Sequence, residues 1–438
     1  MRIVAYALAL LVAGLFAGRA EAVEIQEVTT PLGIKAWLVE DRSAPLVALS
    51  FSFADGTASE PESQKGVTSL MATMLTDGAG ALTADIFRRR EEDAATHLSF
   101  GASSDRLSGT LRVLTASRDE GFDLLRLAVT EPRFDSDMLD QRRDQAIAGL
   151  NQAEQSPRSV AERTLMASMF AGHPYSRDAS GLRETLKTLT PADLKGRARS
   201  VLQRRGLIVA AVGDIDAQTL ARQLDRAFGA LPEGELPAAL PDWAPPAGSR
   251  TIAIERPVPQ SAVLMAMPGV LRRDPDWYAA LILSHILGGG QQSRLFEEVR
   301  EKRGLAYSVS ASLRSSAKAS MLVVSTGSAN DRVAEAIHVI QTVLARLRTE
   351  GVTEQEVADA KTYLTGSLAL SLDSSGAIAG LLHGMQIDGL PRDFLDHRAD
   401  LIAAVTKADV DRMAQRLLRD DAVTTVVVGK PVGLAVER

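Results

Sequence analysis

The chemistry open to this chain is limited because reactive side chains are few. The 438 residues include no cysteine, which excludes thiol nucleophiles, disulfides and thiolate metal sites. Six histidines remain for metal binding or proton transfer: His97, His173, His285, His338, His383 and His397. They are scattered singly along the sequence, so a metal site would need three ligands from distant loops.

Motifs of the common catalytic centres are also missing from the sequence. There is no G-x-S-x-G elbow, no G-x-x-x-x-G-K-[ST] phosphate loop, no H-E-x-x-H or H-x-x-E-H and no D-x-D-x-D-G loop. The run Gly288–Gly290 ends one predicted helix and opens the next, where a glycine C-cap explains it better than a phosphate cradle. The residues by themselves therefore indicate no recognisable catalytic set.

The composition is that of an ordinary globular protein. Charged residues make up 24% and hydrophobic residues 45%, which excludes disordered, collagen-like and coiled-coil chains. A net charge of −6 and an aromatic content of 4% argue against a nucleic-acid partner. At roughly 150 residues per domain, the length predicts two or three domains.

Residues 1–22 have the pattern of a secretory signal peptide. Arg2 precedes an apolar run from Ile3 to Phe16, and Ala20–Ala22 fit an A-x-A cleavage site. The run is shorter than the ~20 residues that a spanning helix needs, which disfavours the alternative of a membrane anchor. We therefore expect a periplasmic or secreted protein, with no membrane insertion after the signal is removed.

The elements that must position any site occur twice in the sequence. Thr190 opens the segment TPADL and Thr406 opens TKADV, and each segment begins an amphipathic helix. Each helix leads to an apolar strand that ends at Gly213 or Gly429, and both pairs lie 216 residues apart. We infer that the chain consists of two copies of one unit of roughly 200 residues, far longer than a solenoid repeat.

Five prolines within residues 232–248 predict an extended linker between the two copies. The predicted organisation is a signal peptide at 1–22, a first domain at 23–231, this linker, and a second domain at 249–438. In each half, runs of strands and helices alternate without a strict βαβ order. This pattern predicts an α+β fold with mixed or antiparallel sheets and helices packed on one face.

Two stretches carry a resemblance to a known family. The run from Leu287 to Val309, LGGGQQSRLFEEVREKRGLAYSV, resembles the second half of pitrilysin/insulinase-type zinc peptidases. The stretch Gly172–Ser176, GHPYS, resembles their first half. The family includes the mitochondrial processing peptidases and the core subunits of respiratory complex III. The resemblance implies two homologous α/β roll domains that form a clamshell around the substrate.

The sequence departs from this family where the resemblance implies a zinc site. Active members carry H-x-x-E-H on a helix of the first half and a further Glu about 76 residues later. These positions match Ser69, Ala72, Thr73 and Gly149, and the family's supporting Glu matches Arg142. None of these side chains is an imidazole or a carboxylate. We therefore expect no metal on this chain, and zinc in a homologous partner that bears H-x-x-E-H.

The second half retains residues that the resemblance implies hold the substrate opposite the zinc. An Arg and a Tyr seven residues apart match Arg300 and Tyr307. Arginine offers N–H donors to a peptide carbonyl, and a phenol can donate to a developing oxyanion. The alternative is structural: Arg300 would pair with Glu297 or Glu301 in solvent, and Tyr307 would lie on the apolar face of a strand over residues 305–313.

Two of the histidines are predicted to have structural roles. His173 precedes Pro174, which predicts extended backbone in a loop and a structural hydrogen bond. His285 lies in an apolar helix and is predicted to be a core residue.

The sequence thus predicts the non-catalytic, substrate-binding subunit of a periplasmic heterodimeric zinc peptidase that degrades or processes peptides. Arg300 and Tyr307 would bind peptide, and catalytic residues would come from the partner. Two alternatives remain open: a structural or peptide-binding scaffold of the same family with no role in proteolysis, and an independent hydrolase with an unrecognised site.

Overall fold

The computed structural model describes residues 24–434, so the predicted signal peptide lies outside the described part. Two sheets organise this part of the chain. The first sheet has the strand order β1-β2-β8-β3-β7-β6 and is formed by β1 (Gln26–Thr29), β2 (Lys35–Glu40), β3 (Leu46–Phe53), β6 (His97–Ala102), β7 (Leu107–Leu114) and β8 (Ile208–Gly213). A small separate hairpin is formed by β4 (Gly78–Ala79) and β5 (Leu82–Thr83).

The second sheet repeats the arrangement of the first. Its order is β11-β12-β10-β13-β9, from β9 (Arg250–Glu255), β10 (Gln260–Pro268), β11 (Ala306–Ser315), β12 (Ser320–Ala329) and β13 (Thr424–Gly429). The last strand of each half is inserted beside the first long strands, with β8 parallel to β2 and β13 parallel to β9. The neighbouring pairs β3–β8 and β10–β13 are antiparallel. The predicted α+β class with mixed sheets is confirmed.

Helices follow the strands in both halves. The first half contains α1 (Val67–Met74), α2 (Ala84–Asp93), α3 (Arg118–Thr130), α4 (Ser136–Gln155), α5 (Pro157–Met169), α6 (Arg183–Thr188), α7 (Pro191–Val201) and α8 (Ala217–Phe228). The second half contains α9 (Trp277–Gly288), α10 (Val333–Glu350), α11 (Glu354–Ser371), α12 (Ser375–Ile387), α13 (Phe394–Ala404) and α14 (Lys407–Leu417). Within residues 24–434, no helix combines the length and the apolar character required to cross a membrane.

The duplication is visible at the start of corresponding helices. Thr190 accepts a hydrogen bond from the Asp193 backbone and Asp193 accepts one from the Thr190 backbone, so the two residues form a capping box at α7. Thr406 and Asp409 form the same reciprocal pair at α14. Each box satisfies two backbone donors that the first helical turn leaves free. The repeated T-x-A-D segments therefore encode the same helix start in both halves.

Each half contributes one helix that packs on the sheet of the other half. These contacts add to the helices that the sequence predicts on one face of each sheet. Alternate residues of β10 point to opposite sides: Val263 and Met265 join the core of their own half, whereas Leu264 and Ala266 face α5 of the first half. Such alternation follows from the two-residue period of a strand. The second sheet is therefore covered on one side by its own helices and on the other by α5.

The reciprocal contact is made by α12. It packs against β3 and β8 of the first sheet, where Ala48 and Val212 lie in one apolar cluster with Leu382. His383 of α12 is hydrogen-bonded to Ser52 of β3 at 2.7 Å, and Gln386 donates to a carbonyl of β8. Burial of these apolar side chains, worth about 1.5–3 kcal/mol for each large one, joins the halves across their interface.

Residues 232–248 form no helix or strand but pack on the first half. The indole Nε1 of Trp243 donates to the carbonyl of Met169 at 2.9 Å, and the Trp243 ring lies 5.2 Å from that of Phe170. The segment between the two sheets is thus held against the end of α5.

Candidate functional site

The helix α1, which the resemblance predicts to correspond to the zinc-binding helix of the family, is fixed at its first turn by a buried acid. The carboxylate of Glu60, 3% exposed, accepts the backbone N–H groups of Gly66 and Thr68 at 2.8 and 2.7 Å. Gly66 has a φ of 94°, a conformation that glycine adopts without steric cost. This acid therefore satisfies backbone donors of the helix.

The three residues at the H-x-x-E-H positions take part in packing. The Ser69 hydroxyl donates to the carbonyl of Ala179 at 2.6 Å, which joins α1 to the loop before α6. The Thr73 hydroxyl donates to the carbonyl of Leu70 in its own helix at 2.8 Å. Ala72 is 2% exposed and belongs to the apolar core of the first half. Their side chains stabilise α1 and its neighbours.

The remaining family positions lie on α4. Arg142 donates from Nε and Nη2 to the two carboxylate oxygens of Asp77, at 2.6 and 2.7 Å. Asp77 follows the end of α1 and is 7% exposed, so the pair joins α1 to α4. The hydrogen bond to Asp77 is the main cause that raises the pKa of Arg142. Gly149 is exposed and presents no side chain.

These residues do not fit a zinc ion. Zinc sites in proteins use imidazole, thiolate or carboxylate ligands, and Ser69, Ala72, Thr73 and Gly149 offer none. Arg142 places a positive charge, already paired with Asp77, where the family has an anion. Among residues 24–434, no group of three or more His, Asp or Glu side chains could hold a metal ion. No catalytic step on this chain is therefore assigned to a metal.

Arg300 lies on a short π-helix, Phe296–Glu301. The Lys302 N–H bonds to the carbonyl of Glu297 at 2.9 Å, which is the five-residue spacing of a π turn. Val299 is fully buried and anchors this turn to the core. The π turn holds Arg300 at the surface, with 35% of its side chain exposed.

Tyr307 lies on the edge strand β11 and is 83% exposed. The structural alternative, in which Tyr307 lies on the apolar face of the strand, does not hold, because β11 contains a bulge. Ala306 pairs with Ser328, and Val309 pairs with Thr326. The pairing thus advances by three residues along β11 but by only two along β12, which is a β-bulge. The hydroxyl groups of Thr326 and Ser328 donate to carbonyls of β11 and of Leu305 beside this bulge, at 2.8 and 2.6 Å. The extra residue leaves Tyr307 facing solvent.

The structure brings Arg300 and Tyr307 together. The Cζ atom of Arg300 lies 4.9 Å from the ring centroid of Tyr307 and 4.7 Å from that of Phe296. This is a cation–π arrangement, and it orients the guanidinium without using its N–H donors. The nearest carboxylate, Glu301, is 3.9 Å away and exposed, so this pair contributes little. Within residues 24–434, the Arg300 side chain makes no hydrogen bond, and its donors are free for a ligand.

The metal-site positions and the Arg/Tyr pair have separate surroundings. The main neighbours of α1 are α4, α7 and β6 of its own half. Arg300 and Tyr307 pack against Phe296 and the π turn in the second half. Sequence reasoning missed Phe296 and Asp77. The four-residue spacing from Phe296 to Arg300 could have revealed the first, whereas no local signal pairs Asp77 with Arg142.

His173 has the structural role that its position before Pro174 predicts. Its Nδ1 accepts the backbone N–H of Tyr175 at 3.1 Å, and Nε2 is 2.9 Å from the carbonyl of Pro241. His285 is half-buried rather than a core residue, and burial lowers its pKa. Its ring stacks on Tyr363 at 4.4 Å between centroids.

Comparison with known proteins identifies the family. The profile of the insulinase (M16) peptidase family matches residues 35–181, and that of the "peptidase M16 inactive domain" matches residues 188–364. An uncharacterised zinc protease of Streptomyces coelicolor is 30% identical over 317 residues, which cover 70% of this chain and 68% of that protein. The chain belongs to the insulinase (M16) family. The family resemblance predicted from GHPYS and the 287–309 run is confirmed.

Other relatives of this M16 protein differ in how they are named. The non-peptidase homologue YmxG of Helicobacter pylori is 26% identical over 386 residues, 88% of this chain and 89% of that protein. The crystal structure of a peptidase M16 inactive domain from Pseudomonas fluorescens superposes with a TM-score of 0.89 at 28% identity. The match covers 95% of this chain and all of that one, so the M16 fold with its two halves extends over the described residues.

Proposed function

We propose that this chain is the non-catalytic, substrate-binding subunit of an exported heterodimeric M16 peptidase. A homologous partner would contribute H-x-x-E-H and zinc. This chain would contribute Arg300 and Tyr307 to a chamber shared by the two subunits. The substrates would be unstructured peptides, which the complex degrades or processes in the periplasm or outside the cell.

The observation that carries the proposal is a contrast between two sets of side chains. At the degenerate metal positions, Ser69, Thr73 and Arg142 are each engaged in hydrogen bonds within the first half. In the second half, Arg300 and Tyr307 are held in position by a π turn and a bulge, and neither side chain makes a hydrogen bond within residues 24–434. Irregular backbone of this kind is often found at functional sites.

The chemistry of the pair suits peptide binding. The guanidinium of Arg300 can donate N–H groups to a backbone carbonyl oxygen, and the phenol of Tyr307 can donate one hydrogen bond to an oxyanion that develops during hydrolysis. Tyr307 also lies on the edge strand β11, whose outer backbone groups have no partner strand among residues 24–434. A peptide that adds to a sheet edge is bound through its backbone, which favours extended chains over a particular sequence.

A second candidate is a scaffold or peptide-binding protein of the M16 family with no part in proteolysis. The name of the Helicobacter relative, a non-peptidase homologue, favours this class as well as the first. The two functions differ in one measurable respect. If this chain binds substrate during turnover, the rate of peptide cleavage depends on Arg300 and Tyr307. If the chain is a scaffold, the rate does not depend on them.

The experiment is reconstitution with an M16 homologue from the same organism that carries H-x-x-E-H and zinc. Each protein is assayed alone and the two are assayed together on an unstructured fluorogenic peptide. We expect cleavage only by the mixture, and a loss of about tenfold or more with Arg300→Ala or Tyr307→Phe. Arg332→Ala and Tyr363→Phe are matched controls, because both residues are exposed and lie elsewhere in the second half.

Three outcomes separate the candidates. Chelator-sensitive cleavage by this chain alone would refute the proposed division of roles. A mixture whose turnover is unaffected by the Arg300 and Tyr307 variants would favour the scaffold. Loss of turnover in these variants, with the controls unchanged and the complex intact on a sizing column, would support the substrate-binding subunit.

A further inference from the structure

A cavity of about 570 Å³ lies where the two halves meet. Two hairpin turns enclose it, one between β6 and β7 at residues 103–106 and one between β11 and β12 at residues 315–318. The loop after β10, the end of α12 and residues 237–240 complete the wall. Both halves therefore contribute to one lining.

The two turns are held together by a hydrogen-bonded chain. The Tyr175 phenol donates to one carboxylate oxygen of Asp105 at 2.5 Å and accepts the backbone N–H of Lys318 at 3.2 Å. The other oxygen of Asp105 accepts the N–H of Ala317 at 3.1 Å. Burial raises the pKa of Tyr175, so its phenol stays protonated and keeps this chain intact. The cavity thus has a preformed wall.

The other carboxylates of the lining are also engaged. Asp55 forms an ion pair with the buried Arg197 at 3.0 Å and accepts the N–H of Gly56 at 2.8 Å. Asp388 lies 3.6 Å from Arg272, and burial raises its pKa. Asp55 is therefore neutralised by its ion pair with Arg197, and Asp388 is held near Arg272.

Two arginines of the lining, one from each half, form no direct ion pair, although Asp105 lies near Arg106 and Asp388 lies near Arg273. Arg106 donates to the hydroxyl and the carbonyl of Ser52 at 2.6 and 3.1 Å and to the carbonyl of Gly206 at 2.6 Å. Arg273 donates to the carbonyl of Asp388 at 2.9 Å, at the end of α12. All of these acceptors are neutral oxygens. Within residues 24–434, neither guanidinium has a carboxylate within 4.0 Å.

Burial of the Arg106 guanidinium without a direct ion pair is unfavourable, and an anion in the cavity would relieve this cost. Burial lowers the pKa of Arg106 to about 10, so it remains charged at neutral pH. The hydroxyl groups of Ser104 and Ser316 also line the cavity, and in residues 24–434 they make no hydrogen bond. These groups supply two charges and two neutral donors around one space.

We propose that this cavity binds an oxyanion, a carboxylate or a phosphate, between Arg106 of the first half and Arg273 of the second. The bound anion bridges the halves and stabilises their junction by mass action. The site is independent of the Arg300/Tyr307 pair and requires no partner subunit. The bound oxyanion would be either a free small anion or the terminal carboxylate of a peptide.

Calorimetry and thermal unfolding of the isolated chain at low salt test this proposal. The probes are inorganic phosphate and a short peptide with either a free or an amidated C-terminus. We expect saturable binding of one phosphate or one free-acid peptide per chain, with a rise in melting temperature. Arg273→Gln should weaken binding about tenfold, because it removes a charge-assisted hydrogen bond. The exposed Arg88 provides the control Arg88→Gln, which should bind as the unaltered chain does.

The probes also distinguish the two sources. Binding of phosphate alone indicates a free small anion, and binding of the free-acid but not the amidated peptide indicates a peptide terminus. Arg106→Gln is a second variant, but Arg106 also holds Ser52 and Gly206 and its loss can impair folding, so the exposed Arg273 carries the test. No saturable binding of either probe, or equal binding by Arg273→Gln, would overturn the proposal.

Discussion

Arg142 and Asp77 form a two-pronged ion pair between α4 and the segment that follows α1, with both N–O distances below 2.8 Å. The resemblance predicts that active family members carry an anion that supports the metal at the position of Arg142. In this chain the same position carries the cation of a structural pair. The region around the predicted metal-site positions is thus stabilised by an ion pair of its own.

This pair should contribute measurably to stability. Arg142→Ala leaves the nearly buried carboxylate of Asp77 without its partner, and we expect a loss of about 2 kcal/mol in the free energy of unfolding. Arg88→Ala removes an exposed pair with Asp85 and should cost less than about 0.5 kcal/mol. Denaturant titration of both variants checks this. Equal stabilities would show that the Arg142 pair has no structural role.

The Arg300/Tyr307 pair should be nearly silent in stability. Tyr307 is mostly exposed, so Tyr307→Phe should change the free energy of unfolding by less than about 0.5 kcal/mol. Val299→Ala, which truncates the buried anchor of the same π turn, should cost about 2 kcal/mol. The comparison separates a residue kept for binding from one kept for packing. A Tyr307→Phe loss as large as that of Val299→Ala would assign Tyr307 to the fold.

Stability should fall in mild acid through His383. Burial, and secondarily the cation of Arg106, lower the pKa of His383 to about 4 from an unfolded value near 6.5. Below pH 6.5 the unfolded chain takes up a proton that the folded chain does not, so folding weakens as the pH falls from 6.5 towards 4. Between pH 7 and pH 5 this group should account for a loss of about 2 kcal/mol.

The measurement is the pH dependence of unfolding for the unaltered chain and for His383→Gln. The variant keeps a hydrogen-bonding group for Ser52 but cannot titrate, so its stability should fall less over this range. His285, whose pKa is also lowered, acts in the same direction in both proteins and cancels in the difference. Parallel pH profiles would contradict the assignment.

Much of the fold could be predicted from the sequence because its signals are local. The T-x-A-D segments at Thr190 and Thr406 predict two similar helix starts, and both are capping boxes in the structure. The motifs at GHPYS and over residues 287–309 also predicted the family that the comparisons show. Each of these inferences depends on residue types within a short stretch of chain.

The features that the sequence did not reveal depend on distant pairing. The alternation of Leu305, Tyr307 and Val309 predicts that all three share a strand face, and only the register with β12 shows the bulge that exposes Tyr307. The apolar pattern of α5 and α12 indicates that each buries a face, but not that each packs on the sheet of the other half. Long-range partners of this kind have no local signature.

Zinc content and peptidase activity of the isolated chain test the central claim most directly. The purified protein is exchanged into metal-free buffer, analysed by elemental mass spectrometry and assayed on an unstructured peptide with and without a chelator. The account predicts well under one zinc per chain and no chelator-sensitive cleavage. One tightly bound zinc per chain, lost together with activity in the double variant Ser69→Ala and Thr73→Ala, would contradict it.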